Sequence, residues 1–179
     1  MRARTRLYKR VWVRVGGVKL SMYRLVRDSE VDAAKLLGAR DVSMVFDKLI
    51  EYHSVLVEAL RREARSGREE ADIVELIVED EKHNKKIIIG EITGRRDGCV
   101  QVTPRPVEVE RLALLPLPSS KPETLSLRDA GWVKPGERIY AFDACVEGLE
   151  KPSLLLLETP EGLQAAIIEP SRRGGAGRG

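Results

Sequence analysis

The chain has 179 residues, about one to one and a half ordinary domains, which excludes a large multidomain enzyme. Hydrophobic residues at 42% and charged residues at 33% describe a globular chain able to build a core, and apolar runs such as Leu154 to Leu157 fall far short of the roughly 18 residues a membrane-spanning helix needs. The net charge of +3 hides an asymmetry: residues 1–27 hold nine Lys or Arg and no acid, residues 28–170 hold 19 basic and 28 acidic side chains, and the tail 171–179 adds three arginines.

Residues 7–26 read as a β-hairpin, because two runs of β-branched and aromatic residues flank Gly16-Gly17, a dipeptide suited to a tight two-residue turn. Ser29 with Asp32 predicts a helix start of the capping-box kind, ending at Gly38. A longer helix is expected from Asp41, where Val42, Val45, Leu49, Tyr52, Leu56 and Leu60 recur at three- and four-residue spacing, and Arg61, Arg62 and Arg65 lie at its end. A second hairpin follows, with strands over 73–78 and 87–92. Val100, Val102, Val107 and Val109 suggest a strand broken at Pro104 and Pro106. Residues 114–136 contain Pro116, Pro118, Pro122 and Pro135 and read as a linker. Short strands over 137–146, 153–158 and 163–168 form a small β module, before a disordered Arg/Gly tail over 171–179.

The expected fold class is therefore α+β: an antiparallel sheet of two hairpins with two helices on one face (ββααββ) over residues 1–113, then the linker and the β module over 137–170. The basic N-terminus lacks an apolar segment behind it, so no secretory signal is expected and a cytoplasmic address follows. Cys99 and Cys145 form no Cys-x-x-Cys pair and read as small apolar residues. A disulfide is the alternative if the source is heat-adapted, which one Asn and two Gln in the whole chain suggest.

Strand alternation turns the charge asymmetry into a face. With a two-residue turn, Val11, Val13, Val15, Val18, Leu20, Met22 and Val26 share one side of the hairpin, an apolar surface expected to meet the helices. Tyr8, Arg10, Trp12, Arg14, Lys19, Ser21 and Tyr23 share the other. Aromatic rings among cations suit single-stranded nucleic acid, since each base offers a π-face and each nucleotide a phosphate. Tyr8, Trp12 and Tyr23 are the expected stacking residues, and Arg10, Arg14 and Lys19 the expected phosphate contacts. Arg172 and Arg173 extend the basic surface in an RGG-like tail. Arg14 opposite Lys19 is a like-charge pair, which an anion between them would relieve. The competing reading covers this face with the C-terminal strands and makes Trp12 a core residue.

Other constellations carry less. Asp72 and Glu91 could be drawn as a metal-dependent nuclease site, but Thr93 stands where such a motif needs Lys. His53 reads as a partly buried helix residue and His83 as an exposed loop residue, neither with ligands at metal spacing. No family motif is quotable, although the element order of the first hundred residues is similar to that of single-strand DNA-binding proteins of the ThermoDBP type, without that family's C-terminal heptad zipper. The expectation is a non-enzymatic protein that binds single-stranded DNA or RNA and needs neither cofactor nor metal. The alternative is an interaction subunit whose hairpin face docks on a protein partner or a second copy.

Overall fold

The computed structural model describes residues 2–51, 53–82, 84–94, 98–117 and 130–170. The fold is mixed and mostly strand, in the α+β class, and its packing divides into two units: Met1–Arg10 with Leu25–Arg95, and Val11–Arg24 with Arg96–Gly179. Two long strands, β1 (Arg2–Val15) and β2 (Val18–Val31), contribute to both. They form the expected hairpin about Gly16-Gly17, where Gly16 takes the positive φ of 61° that a two-residue turn favours. The hairpin extends beyond 7–26 at both ends, because the alternation of Arg2, Arg4 and Arg6 with Ala3, Thr5 and Leu7 is itself a strand pattern.

In the first unit, β3 (Ile73–Asp80) pairs antiparallel with β1, Ala3 opposite Val78 and Leu7 opposite Val74. The hairpin partner of β3 is β4 (Lys85–Ile92), as the sequence predicts. Ser29 does not start a helix. It lies in β2, and Asp32 is the cap, its carboxylate accepting from Ala34 N at 3.1 Å and Lys35 N at 3.3 Å to open α1 (Ala33–Leu37). The predicted long helix is recorded as α2 (Val42–Glu51) and α3 (His53–Ala64) on either side of residue 52. Asp41 caps α2 by accepting from Ser43 Oγ at 2.6 Å and Met44 N at 3.0 Å. These helices bury Leu37, Val45, Leu49, Leu56 and Leu60 against Ala3, Leu7, Val74, Leu76 and Val78. Alternation along β1 and β3 sends those residues to one face of the sheet.

In the second unit, β2 pairs with β8 (Ile139–Ala141) and β10 (Val146–Glu147), and β8 pairs with β6 (Val107–Val109). The expected strand over 137–146 is thus recorded as three pieces, with β9 (Asp143–Ala144) paired to β5 (Val100–Gln101). A separate three-stranded sheet has β11 (Ser153–Thr159) between β7 (Arg111–Pro116) and β12 (Gly162–Ile168). Leu114, Leu115 and Pro116, read as the start of a linker, belong to β7; residues 118–129 of that stretch lie outside the described residues.

Of the apolar face of the first hairpin, expected to meet the helices, Val26 packs in the helix core. Val15, Leu20 and Met22, with Val11, Val13 and Val18 around them, pack instead on Val109, Leu112, Ile139, Leu155, Leu157 and Ile168. Alternation identified the face, but only tertiary pairing decides what covers it. Cys99 and Cys145 are not separate core residues but a disulfide within this unit. No helix among the described residues is long and apolar enough to cross a membrane.

Candidate functional site

The hairpin residues singled out by alternation fall into different environments. In the first unit Tyr8 is fully buried, and its hydroxyl donates to Glu75 Oε1 at 2.6 Å. Glu75 is itself buried, and the Arg6 guanidinium lies 5.6 Å from the centre of the Tyr8 ring. Tyr8 is therefore a core aromatic with a satisfied polar end rather than an open stacking platform. Arg10 is half-buried: its backbone N–H donates to Asp72 Oδ2 at 2.7 Å and its Nη1 to the Gly94 carbonyl at 3.0 Å. Asp72 ties this junction together, since its own N–H donates to the Tyr8 carbonyl and its carbonyl accepts from Thr93 and Gly94. A Cβ on Gly94 would collide with Asp72 Oδ1, so only glycine fits.

Acids from later in the chain meet the basic N-terminal segment in this unit. Arg4 and Arg6 pair with Asp28, Arg27 pairs with Glu63, and Arg2 approaches Glu81 at 3.7 Å. The excess positive charge of residues 1–27 is thus largely compensated where the first unit holds it.

The second unit treats the same face differently. Trp12 is 40% exposed, and Arg14 and Lys19 are exposed on the two strands beside the turn. Among the described residues, neither cationic side chain forms an ion pair or hydrogen bond. Tyr23, by contrast, is fully buried opposite Tyr140, with its hydroxyl donating to Asp143. With these contacts Tyr23 offers no more of a stacking surface than Tyr8 does, whereas Trp12, which the competing reading made a core residue, is exposed. Ser21 is buried too: its N–H donates to the Cys145 carbonyl at 2.9 Å and its Oγ accepts from Cys145 N at 2.7 Å.

One residue of this face was missed by sequence reasoning. Glu147 on β10 lies directly opposite Lys19 and is exposed. The two-residue turn sets Arg14 opposite Lys19 on the other side, so Arg14, Lys19 and Glu147 form one cross-strand row with two cations and a carboxylate. Some 130 residues separate the ends of that row in sequence, and nothing local announces the pairing.

Arg172, Arg173 and His83 lie outside the described residues. His53 is exposed at the start of α3, not partly buried. The two carboxylates of the nuclease pattern have structural partners, Asp72 as above and Glu91 with Arg61 at 3.2 Å. Among the described residues no group of three His, Cys, Asp or Glu side chains could hold a metal. Comparison with protein-family models, curated proteins and solved structures returned no match.

Proposed function

We propose that this is a cytoplasmic, non-enzymatic protein that binds single-stranded DNA or RNA through the outer face of the hairpin in the second unit. The observation that carries the reading is an exposed Trp12 two residues along the strand from exposed Arg14, with exposed Lys19 across from it. The indole supplies a stacking surface, and the two exposed cations supply phosphate contacts. The site is smaller than alternation alone suggested: one aromatic and two cations, without Tyr8 and Tyr23.

The test is fluorescence anisotropy of a labelled oligothymidine at low salt. Neutralising two phosphates predicts a log–log salt slope of about −1.4. Trp12→Ala is expected to weaken binding roughly 5- to 150-fold, the range for loss of one base stack, while leaving the melting temperature unchanged. Absence of binding at low salt, or an unaffected Trp12→Ala variant, overturns the reading.

A second reading, an assembly subunit, has one observation in its favour. Leu163 and Ile167, 48% and 59% exposed, lie on β12, an edge strand with no charged residue. A nuclease-resistant complex on size-exclusion chromatography would favour it.

A further inference from the structure

The row Arg14, Lys19 and Glu147 places a carboxylate where a site for phosphates alone has no use for one. A negative charge beside two phosphate-binding cations weakens their attraction for a polyanion. Among the described residues, the Glu147 side chain makes no ion pair or hydrogen bond, with Lys19 or any other group. The position is held firmly, because Val146 pairs with Leu20, Cys145 is hooked to Ser21 by two hydrogen bonds, and Cys145 is also disulfide-bonded to Cys99. Glu147 is thus an exposed acceptor on a fixed strand.

Trp12 belongs to the adjacent row of the same face, opposite Ser21. Two inter-strand steps and two residues of rise separate its Cα from that of Glu147 by about 12 Å. A base stacked on the indole extends across much of that gap, and the glutamate side chain spans the remainder. In a single strand the Watson–Crick edge of such a base is free to be read. Guanine alone presents two parallel donors there, N1–H and the 2-amino group, matching the two oxygens of a carboxylate. Cytosine and adenine set a ring acceptor beside their amine, and thymine and uracil flank their single donor with carbonyls, both of which a carboxylate repels.

We infer that Glu147 is a specificity-determining residue that accepts the N1–H and 2-amino group of a guanine stacked on Trp12, so the face prefers guanine-bearing single strands. The inference rests on the nucleic-acid reading above and deepens it. Lys19 and Arg14 then hold the phosphates, while the repulsion from Glu147 falls on strands that offer it no donor pair.

The experiment compares a labelled oligothymidine with the same oligonucleotide carrying one central guanine, or one central inosine, which lacks the 2-amino group. Wild-type protein is expected to bind the guanine strand about tenfold more tightly than oligothymidine, within the discrimination typical of a bidentate base contact, and inosine should return most of that gain. Glu147→Gln, isosteric and exposed, should keep its melting temperature, bind oligothymidine more tightly than wild type because the carboxylate's repulsion is gone, and lose the guanine preference. Equal binding of all three strands by wild type overturns the role of Glu147 alone. So does a preference that survives Glu147→Gln, or inosine bound as tightly as guanine. Wild-type protein that binds none of the strands overturns the parent reading and this inference with it, whereas Trp12→Ala losing all three separates a working stack from a failed base contact.

Discussion

Tyr8, Trp12 and Tyr23 alternate identically along the hairpin, yet Trp12 is exposed while the two tyrosines are buried with their hydroxyls on carboxylates. Strand parity reports which side a residue takes, but not whether another element arrives there. Glu75 and Asp143 come from strands far along the chain, and neither had a local signature as a tyrosine partner. The two roles separate by experiment. Tyr8→Phe removes the donor to a buried carboxylate and should cost about 1–3 kcal/mol in chemical denaturation, with oligonucleotide binding unchanged. A binding loss without destabilisation would restore Tyr8 to the interface. Gly94→Ala forces a methyl onto Asp72 and disturbs the carboxylate that holds Arg10 N–H; urea denaturation is expected to show a loss of about 1–3 kcal/mol.

Elements with strong local signals were legible. The two hairpins, the Gly16-Gly17 turn and an apolar helical stripe after Asp41 all follow from short-range alternation, periodicity and capping chemistry. The Ser29 start failed because the strand pattern of β2 runs on through Val31, and a better-placed cap, Asp32, stood three residues later. The run Leu154 to Leu157 reads as continuous because β11 is buried on both faces: Leu155 and Leu157 pack in one cluster, Leu156 with Ala113 and Trp132 in another. Element ends also carry a pH signature. Hydrogen bonds from Ser43 and then Met44 hold the Asp41 carboxyl below its ordinary range, and the hydrogen bond from Arg111 does the same for Glu158, which links β11 to β7. Both pKa values are depressed by folding, so their contribution is present above the unfolded carboxylate range near 4 and is lost as pH falls through the folded values. Melting temperature should fall on acidification, and Asp41→Asn should flatten part of that dependence in a circular-dichroism titration.

For the whole molecule, composition indicated the class but not the assignment of strands to two cores. The second core is built from residues 11–24 together with strands after residue 106, a pairing set by long-range register rather than by any nearby residue. The same distance hid the row that brings Glu147 to Lys19. The Cys99–Cys145 disulfide closes a loop of 46 residues in this unit, which the chain-entropy account values at about 4 kcal/mol. Reduction, or Cys99→Ala with Cys145→Ala, should lower the melting temperature measurably by calorimetry. An unchanged transition would show that the bond adds nothing to the fold. The sharing of one hairpin between two cores has a further consequence during synthesis. The ribosome makes residues 11–24 well before their apolar partners from Val109 to Ile168, so Val11, Val13, Val15, Leu20 and Met22 wait uncovered while the intervening residues are added. The first unit has all its segments once residue 95 has emerged, whereas the second waits for strands as far on as Ile168, leaving the nascent hairpin tip exposed to aggregation in the interval.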